Sequence, residues 1–327
     1  MKHVLITGGA GFIGSRLIEA LLNNGNIKIT CIDNFDDFYS RRQKEWNIKA
    51  FKNNERFKLI EGDIREAASF HKIGNDVDTI VHLAAKAGVR PSIKNPVLYQ
   101  DVNIRGTQML LEYANLRSVK QFIFASSSSV YGINKNVPWH EDEKLFPISP
   151  YASTKLSGEM LGHVYSHLYG IQFLSLRFFT VYGPSQRPDL AIHKFFKSII
   201  NDQLIPVYGD GSSSRDYTFV GDTIKGIMAA MDYDRSAFEI INLGNNKTVK
   251  LMELIRAIEN VCGKKAIIDW QSEQPGDVPR TYADITKAKE LLGYNPSTEL
   301  GEGLELFYNW FKEYADAIER LSPHPLQ

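Results

Sequence analysis

The amino-acid sequence predicts an α/β protein with a doubly wound parallel sheet and a smaller C-terminal lobe. Up to residue 182, short apolar runs alternate with longer segments whose apolar residues recur at spacings of three and four. That alternation is typical of βαβ units, in which each strand is followed by a helix packed on the sheet. A glycine-rich turn directly after the first run supports the same interpretation, because such turns join strand to helix in doubly wound folds.

Composition and charge exclude several classes of protein. Hydrophobic residues make up 43% of the 327 residues, which is too much for a disordered chain. The 38 Lys and Arg residues balance the 38 Asp and Glu residues, so we expect no nucleic-acid partner. Cys31 and Cys262 are too few for a disulfide scaffold, and no apolar run approaches the ~18 residues of a membrane span. We therefore expect a cytoplasmic protein with no membrane association and no metal site.

The predicted elements follow the chain in order. Strands are expected at residues 4–7, 29–32, 57–61, 79–83, 121–126 and 172–177. Beyond residue 184 the regular alternation of apolar runs and helical segments ends. Helices are expected at 192–200, 222–231, 251–261 and 303–319, and short apolar runs occur at 217–220 and 238–243. We expect one large unit over residues 1–182, to which 222–244 returns, and a smaller lobe formed by 183–221 and 245–327.

A glycine-rich turn separates the first predicted strand from the first helix, which begins near Phe12. Gly8 permits a tight turn, Gly11 lets the backbone approach a pyrophosphate, and Gly14 allows close packing of helix against strand. Asp33 ends the next strand, 19 residues beyond Gly14, where a carboxylate can accept hydrogen bonds from ribose hydroxyls. The same carboxylate would repel the extra phosphate of NADP, so NAD is the preferred cofactor. A surface turn without a ligand is the alternative.

Three charged residues near this turn allow two interpretations each. Asp63 follows the third strand and is either a hydrogen-bond partner for an adenine or an ordinary loop cap. Arg41 and Arg42 follow the second strand and could fold back towards a phosphate. We interpret these two arginines as solvated loop charges.

Tyr151 and Lys155 stand four residues apart, so a helix would project both from one face. A phenol with a pKa near ~10 is a poor base at neutral pH, and a nearby ammonium group would favour its phenolate. A run of serines at residues 126–129 precedes the pair at the end of a predicted strand. The alternative is an exposed lysine beside a packed tyrosine, which the serine run and the glycine turn together disfavour.

These segments together resemble one known family. The segments at 7–14 (TGGAGFIG), 82–85 (HLAA), 130–132 (VYG), 151–155 (YASTK) and 176–184 (LRFFTVYGP) are similar to motifs of the extended short-chain dehydrogenase/reductases. Motifs of the nucleotide-sugar branch also occur, at 209–211 (GDG), 215–217 (RDY) and 275–277 (PGD). The resemblance covers nearly the whole chain. It implies a modified Rossmann domain that holds NAD and a C-terminal lobe that grips a nucleoside diphosphate sugar.

The resemblance also implies roles for particular residues. Tyr151 would remove the proton of the sugar 4-hydroxyl as hydride passes from C4 to NAD, Lys155 would lower the pKa of Tyr151 and hold the nicotinamide ribose, and Ser127 would bond the same sugar oxygen. Arg215 and Arg280 suit the substrate pyrophosphate, because guanidinium groups form paired bonds to phosphate oxygens. The expected cofactor-binding residues are Gly8, Gly11, Phe12, Ile13, Gly14, Asp33, Asn34, Asp63, Ile64, Leu83, Ala84, Ala85, Lys86, Asn103, Ser126, Tyr151, Lys155 and Phe178. The expected substrate-binding residues are Arg90, Ser127, Ser128, Ser129, Tyr151, Thr180, Arg187, Ala191, Val207, Tyr208, Arg215, Asp277 and Arg280.

The residues after Ser127 indicate which reaction follows formation of a 4-keto sugar. Dehydratases that resemble this family carry an Asp-Glu pair there, and decarboxylases usually carry a Glu just before Val-Tyr-Gly; Ser128 and Ser129 occupy those positions here. Hydroxyl groups replace that acid and base poorly, so both reactions are disfavoured. We expect 4-epimerisation, in which the keto sugar turns over and hydride returns to its other face. The alternatives are a lyase or reductase that releases a changed sugar, and an NAD-binding scaffold without activity.

The segment 180–191 is similar to that of the UDP-glucuronate 4-epimerases. Hydroxyls of the serine run and of Thr180 could hold a C6 carboxylate, with Arg187 supplying charge from a loop. Lys86 and Pro91 depart from the Gln and Tyr expected of that subgroup, so UDP-glucose, UDP-galactose and their N-acetyl forms stay open as substrates. The resemblance also implies a homodimer, with helices around 107–116 and 153–168 pairing across a two-fold axis.

Overall fold

The structure, a computed structural model, describes residues 1–272 and 278–321. Its strands are β1 (Lys2–Thr7), β2 (Ile27–Asp33), β3 (Phe57–Glu61), β4 (Thr79–His82), β5 (Gln121–Ser127), β6 (Gln172–Phe178), β7 (Thr180–Tyr182), β8 (Leu204–Tyr208), β9 (Ser214–Arg215), β10 (Tyr217–Phe219), β11 (Phe238–Leu243), β12 (Val249–Lys250) and β13 (Ile267–Gln271). Its α-helices are α1 (Phe12–Asn24), α2 (Arg41–Ile48), α3 (Ala67–Phe70), α4 (Val89–Lys94), α5 (Pro96–Gln100), α6 (Gly106–Leu116), α7 (Pro150–Tyr169), α8 (Ala191–Ile200), α9 (Val220–Met231), α10 (Leu251–Cys262), α11 (Thr286–Leu292) and α12 (Leu300–Leu321). Shorter helical turns cover Asp101–Arg105 and Ser128–Tyr131.

Seven strands form one parallel sheet in the order β11-β6-β5-β4-β1-β2-β3. Parallel strands of this kind are covered on both faces, which explains why Val4, Leu5 and Ile6 of β1 are fully buried. The strand order reverses between β1 and β4, so the loops that follow these strands diverge and leave a crevice at their carboxyl ends. The predicted doubly wound parallel sheet is confirmed.

Helices cover both faces of this sheet. On one face α1 and α9 bury Leu17, Ile18 and Ile227, and in a second apolar cluster α6 and α7 bury Leu110 and Tyr165. The six strands predicted before residue 182 all occur, and their bounds differ from the predicted ones by at most two residues. The apolar run at 238–243 is β11, which extends the sheet by pairing with β6.

A third apolar cluster lies among the remaining elements. Helices α8, α10 and α12 contribute Phe196, Ile255 and Phe307 to it. Short strand pairs form between β7 and β10, between β8 and β13, and between β9 and β12. No strand was expected at β8 or β13, because Pro206 and the glycine turn at 209–211 dominate the local pattern. Their pairing joins residues about 60 positions apart, which a local pattern does not reveal.

Within residues 1–272 and 278–321, no helix is both long and apolar enough to cross a bilayer. The same residues contain no group of three His, Cys, Asp or Glu side chains placed to hold a metal ion. The cytoplasmic location stays a prediction.

Candidate active site

A cavity of about 470 Å³ opens at the carboxyl edge of the parallel sheet. Predicted residues that line it are Gly8, Gly11, Phe12, Ile13, Gly14, Asp33, Asn34, Asp63, Ile64, Leu83, Ala84, Ala85, Lys86, Ser126, Ser127, Ser128, Ser129, Tyr151, Lys155, Phe178, Thr180 and Arg187. Predicted residues outside this lining are Arg90, Asn103, Ala191, Val207, Tyr208, Arg215 and Arg280. Asp277 lies outside the described residues. The cavity therefore gathers the predicted catalytic residues and nearly all predicted cofactor residues, but not the predicted pyrophosphate-binding arginines.

The glycine turn lies where β1 meets α1. Gly8 has a φ of +73°, and a Cβ there would come within 2.8 Å of the Ala84 backbone nitrogen. At Gly14 a Cβ would lie 2.3 Å from the Gly8 carbonyl oxygen, so only glycine lets α1 pack this closely. A Cβ at Gly11 would lie 3.1 Å from the Gly8 carbonyl oxygen and 3.8 Å from the Tyr39 hydroxyl, so this position is also tight, although less so than Gly14. With no side-chain cap on the first N–H groups of α1, this bare backbone fits a dinucleotide pyrophosphate.

Asp33 ends β2 and is buried against the glycine turn. Its Oδ2 accepts a hydrogen bond from the Ala10 nitrogen at 3.0 Å, and its Oδ1 accepts one from the Phe35 nitrogen at 2.8 Å. Burial raises the pKa of the Asp33 carboxyl, while the Lys44 ammonium and these backbone donors oppose the shift. A carboxylate oxygen can accept more than one hydrogen bond, so this orientation still suits the ribose hydroxyls of NAD.

Arg41 and Asp63 are both engaged by protein groups. Arg41 Nη1 and Nη2 each donate to Glu61 at 2.8 Å on the exposed surface, which supports its interpretation as a solvated charge. Asp63 accepts hydrogen bonds from Arg65 Nη2 at 2.7 Å and from Asn34 Nδ2 at 3.0 Å. The Arg65 hydrogen bonds lower the pKa of Asp63 to about 2. Asp63 is therefore an ionised, fixed acceptor beside the cavity.

The start of α7 positions the predicted catalytic pair. The Ser149 hydroxyl accepts a hydrogen bond from the Ala152 nitrogen at 3.1 Å, which caps the helix. Pro150 occupies the first turn, where its missing N–H leaves no helical bond unmade. Tyr151 consequently lies in the first turn and Lys155 one turn later, and both line the cavity.

The two catalytic side chains contact the end of β5. Lys155 Nζ donates to the Ala125 carbonyl at 2.7 Å and lies 5.8 Å from the centre of the Tyr151 ring. The Tyr151 hydroxyl is hydrogen-bonded to Ser127. Ser127 Oγ also accepts hydrogen bonds from the Ser129 nitrogen at 3.2 Å and from Ser129 Oγ at 2.9 Å. The Tyr151 phenol as candidate proton acceptor, the Ser127 hydroxyl and the Lys155 ammonium group thus lie close together.

Burial controls the protonation of this pair. It raises the pKa of Tyr151, and the Ser127 hydrogen bond and the Arg187 charge lower that pKa by less. Burial also lowers the pKa of Lys155 to about 8, although the Glu159 carboxylate opposes the shift. The sequence predicted that Lys155 lowers the pKa of Tyr151. The groups that lower this pKa in the structure are Ser127 and Arg187, and burial outweighs both, so the effect of Lys155 stays a prediction.

A buried ion pair joins α7 to β6 behind the catalytic residues. Glu159 accepts hydrogen bonds from Arg177 Nε at 2.9 Å and Nη2 at 2.8 Å, and the two side chains are 0% and 1% exposed. Ser126 donates to Glu159, and Arg177 Nη1 donates to the Tyr131 hydroxyl at 3.0 Å. Such partners are needed because a buried charge is costly to desolvate. Sequence reasoning did not predict this ion pair. The signal for it in the sequence was Arg177, a single arginine inside a largely apolar strand, which indicates a buried charge that needs a partner.

Asn103 fixes the loop after β4 and does not line the cavity. Its Oδ1 accepts from the Lys86 nitrogen at 2.8 Å, and its Nδ2 donates to the Lys86 carbonyl and to Thr154 Oγ1, both at 3.0 Å. The Lys86 side chain extends to the loop after β2, where Nζ bonds Asp36 Oδ1 at 2.7 Å. Asn103 therefore positions Lys86, and its direct contact with the cofactor stays a prediction.

Arg187 brings positive charge to the cavity. Its Nε and Nη2 donate to the two carboxylate oxygens of Asp189 at 2.9 and 2.8 Å, and its guanidinium carbon lies 5.5 Å from the Phe38 ring centre. Its charge favours the ionised form of Tyr151. Because Asp189 engages the Nε and Nη2 edge, Nη1 lies on the other side of the guanidinium group.

The remaining predicted arginines, Arg90, Arg215 and Arg280, do not line the cavity. A backbone bridge between Ser214 and Arg280 places Arg215 and Arg280 on neighbouring segments. Arg215 Nη1 donates to the Ser214 carbonyl at 2.9 Å. Arg90 on α4 lies 5.0 Å from the centre of the Tyr208 ring. Their role at a substrate pyrophosphate stays a prediction.

Sequence reasoning identified Asn34 in the loop after β2 and missed the other residues of that loop that line the cavity. The segment 34–39 (NFDDFY) combines acidic and aromatic residues directly after Asp33, and this density was the available signal. Cavity-lining residues that were not predicted are Ile32, Asp36, Phe38, Tyr39, Lys44, Gly62, Ala87, Gly88, Val89, Val102, Ala125, Phe179, Val181 and Leu190.

A glycine turn after β1, with serine, tyrosine and lysine gathered in the crevice of a parallel sheet, defines the class as extended short-chain dehydrogenase/reductase. Residues 5–307 match the family model described as GDP-mannose 4,6 dehydratase, and the chain belongs to that family. The predicted family resemblance is thereby confirmed.

Relatives within this family include several epimerases. The chain is 40% identical over 325 residues to UDP-glucuronate 4-epimerase of Thermodesulfobacterium geofontis (strain OPF15), which covers 98% of this chain and 99% of the relative. The crystal structure of UDP-glucuronic acid 4-epimerase from Bacillus cereus, in complex with UDP-glucuronic acid and NAD, has a TM-score of 0.91 and 40% identity, with coverage of 95% and 99%. UDP-N-acetylglucosamine 4-epimerase from Methanobrevibacter ruminantium M1 has a TM-score of 0.88 and 32% identity, with coverage of 95% and 98%. These relatives confirm the predicted enzyme class, an NAD-dependent nucleotide-sugar epimerase.

Proposed function

We propose that this enzyme interconverts UDP-glucuronate and UDP-galacturonate by NAD-dependent 4-epimerisation. The observation that carries the proposal is the set of groups around Tyr151: the hydroxyls of residues 127–129 and Thr180, together with Arg187, line the same cavity. Hydroxyl donors and one guanidinium group suit a carboxylate, because hydrogen bonds with a charged partner are strong. The B. cereus relative, crystallised with UDP-glucuronic acid, supports this substrate class.

In this proposal the chain's own residues move one proton. Tyr151 takes the proton of the sugar 4-hydroxyl and later returns it, and Ser127 holds the same oxygen. Bound NAD supplies the hydride acceptor and donor for C4. Lys155 favours the phenolate while it is charged, and its pKa of about 8 means that this support fades at higher pH. We expect the rate to decline on the alkaline side above about that pH.

Ser128 and Ser129 favour epimerisation over elimination or decarboxylation. Ser129 is occupied in bonding Ser127, through both its nitrogen and its hydroxyl. A serine hydroxyl does not titrate near neutral pH, so neither position offers a general acid or base for a second proton transfer. The protein therefore offers no acid or base that assists elimination or decarboxylation, which favours reduction of the 4-keto sugar, and a UDP-sugar-acid decarboxylase is the disfavoured alternative.

A 4-epimerase of UDP-glucose or UDP-N-acetylglucosamine is the second candidate. The departures at Lys86 and Pro91 favour it, and the M. ruminantium relative is named for UDP-N-acetylglucosamine. Asp36 pairs with Lys86 at 2.7 Å, so the Lys86 ammonium is neutralised within the cavity. Arg187 is likewise paired, with Asp189, but a guanidinium group has five N–H donors and Asp189 engages only its Nε and Nη2 edge, so Arg187 remains the basis for the acid-sugar proposal.

Proton NMR of the anomeric signals tests the substrate. The purified enzyme is mixed separately with UDP-glucuronate, UDP-glucose and UDP-N-acetylglucosamine in the presence of NAD. We expect conversion of UDP-glucuronate to the galacto epimer and much slower conversion of the other two. Preference for a neutral sugar would refute the acid-sugar proposal and keep the enzyme class, and release of carbon dioxide would refute epimerisation.

The Arg187→Met variant tests carboxylate recognition. Loss of one charged hydrogen bond is expected to lower kcat/KM for UDP-glucuronate by roughly 10- to 100-fold, with little change for UDP-glucose. Initial rates on both sugars by NMR provide the measurement. The exposed Arg41→Met variant is the matched control and should behave as wild type. An equal loss on both sugars would assign Arg187 a role in folding or cofactor binding instead.

We also propose a homodimer formed through α6 and α7. Met160, Val164 and Leu168 are 49%, 45% and 61% exposed, and their spacing of four places them along one stripe of α7. Leu116 at the end of α6 is 79% exposed. Extended apolar surface of this kind marks interaction sites.

Light scattering with a substituted stripe tests the dimer. The wild-type particle is expected to have twice the 37.0 kDa mass of the chain, and Val164→Glu should yield the single-chain mass because it places a charge in the stripe. The control is Leu204→Glu, an exposed leucine on β8. Wild-type protein that is already monomeric would contradict the proposal.

The two parts of the chain are assigned to the two ligands, NAD and the UDP-sugar. We propose that residues 1–182 with 222–244 bind NAD, and that the lobe of 183–221 and 245–327 binds the nucleotide of the substrate. The neighbouring Arg215 and Arg280 support the second assignment, since two guanidinium groups suit a pyrophosphate.

A further inference from the structure

Tyr39, in the loop after β2, is a cavity-lining residue whose hydroxyl is not used by the protein. Its side chain is only 9% exposed, and within the described residues its hydroxyl has no hydrogen-bond partner. A buried hydroxyl without a partner is uncommon, because it has lost its hydrogen bonds to water without replacement. We therefore expect this hydroxyl to form a hydrogen bond with a ligand or an ordered water molecule.

The position of the hydroxyl points to a ligand. It lies 3.8 Å from the place that a Cβ on Gly11 would occupy, so it borders the space that this glycine leaves open. Gly11 is the residue whose bare backbone admits a pyrophosphate. The Tyr39 hydroxyl and the first turn of α1 thus border the same part of the cavity.

The ring is held in this orientation by Lys44 of α2, the helix that follows its loop. Lys44 Nζ lies 4.9 Å from the Tyr39 ring centre and donates to the Asp36 carbonyl at 2.6 Å. A cation over an aromatic face is attracted to it, which restrains the ring. Arg187 adds positive charge near the hydroxyl, since its charge acts to lower the pKa of Tyr39, and an anionic ligand would require such a charge.

The hydroxyl is a proton donor throughout the working pH range. Burial is the main cause that raises the pKa of Tyr39, and the nearby Asp33 carboxylate raises it further. A neutral phenol can donate one hydrogen bond to a phosphate oxygen. The group is therefore a donor held beside the expected phosphate position.

We propose that Tyr39 binds the cofactor by donating its hydroxyl hydrogen bond to a pyrophosphate oxygen of NAD, opposite the N-terminus of α1. The proposal concerns cofactor binding alone, so it stands whichever UDP-sugar is the substrate. It also explains why a tyrosine in this loop is buried with its unpaired hydroxyl beside the glycine turn.

The Tyr39→Phe variant tests this with two measurements on protein stripped of NAD. The dissociation constant for NAD, measured by titration calorimetry, is expected to rise by about tenfold or more, as for loss of a hydrogen bond to a charged group. The Tm without NAD is expected to stay the same or rise, because the variant removes an unpaired buried hydroxyl. The stabilisation on adding NAD should shrink in proportion to the lost affinity.

Tyr113→Phe is the matched control, since the Tyr113 hydroxyl donates to the Gly74 carbonyl at 3.2 Å. This control should lower the Tm without NAD and leave NAD affinity unchanged. If Tyr39→Phe behaves like the control, the hydroxyl is bonded through water to the protein and the proposal is wrong. A loss of affinity for UDP in the NAD-loaded variant, with NAD affinity intact, would place the hydroxyl at the substrate and also overturn it.

Discussion

The Tyr151→Phe enzyme is expected to epimerise its substrate roughly 10²- to 10⁴-fold more slowly than wild type. The substitution keeps the ring, which packs edge-on against Tyr99 with 6.4 Å between ring centres. It removes only the hydroxyl that bonds Ser127 and that must take the proton of the sugar. Initial rates by NMR at saturating UDP-sugar, with NAD affinity measured on the same sample, provide the test.

The expected pattern separates catalysis from binding. NAD affinity and Tm should stay close to wild type, because Tyr151 acts in proton transfer and its ring packing is retained. Tyr113→Phe serves again as the control for loss of a remote tyrosine hydroxyl. An unaffected rate in the Tyr151→Phe enzyme would remove the basis of the proposed mechanism.

Glu159→Gln is expected to cause the largest loss of stability among the substitutions considered. It leaves the Arg177 guanidinium in a fully buried position with a neutral partner in place of a carboxylate. Breaking one side of a buried ion pair costs about 3–5 kcal/mol in the free energy of unfolding. Urea denaturation followed by circular dichroism gives that free energy, with the slope checked for two-state behaviour.

The same substitution should also change the pH dependence of the rate. The Glu159 carboxylate raises the pKa of Lys155, which partly offsets the lowering caused by burial. Without the carboxylate that pKa falls further, so Lys155 loses its charge at a lower pH. The alkaline limb of the rate profile should therefore move to lower pH, a change that a purely structural loss would not produce.

Two comparisons make the result for Glu159 interpretable. Glu61→Gln removes one partner of an exposed ion pair with Arg41, and exposed pairs contribute little to stability. The double variant Glu159→Met, Arg177→Met removes both buried charges and should be more stable than Glu159→Gln. If Glu159→Gln destabilises no more than Glu61→Gln does, the pair is not the stabilising contact inferred here.

Local patterns predicted the elements that hold the cofactor and the catalytic pair. The glycine turn, Asp33 and the Tyr151–Lys155 spacing each lie within one strand-turn-helix unit or one helical turn. Their geometry follows from backbone rules that act over a few residues. For that reason the six strands before residue 182 were correctly placed, and their carboxyl ends brought the predicted residues into one cavity.

Contacts between distant segments were not predicted. Glu159 and Arg177 meet because α7 packs on β6, and Lys86 reaches Asp36 across 50 positions of sequence. The small sheet of β8 and β13 was missed for the same reason. No periodicity in the sequence encodes which side chains will face one another across two separately predicted elements.

By itself, the sequence determined the fold class and the glycine turn after the first strand, and it predicted which residues would transfer the proton. Only the tertiary structure decided their chemical state. Burial raises the pKa of Tyr151 and lowers that of Lys155 to about 8, and the Tyr39 hydroxyl has no hydrogen-bond partner among residues 1–272 and 278–321. Those outcomes depend on solvent exclusion and on neighbours from several elements, and desolvation exists only once the chain has packed.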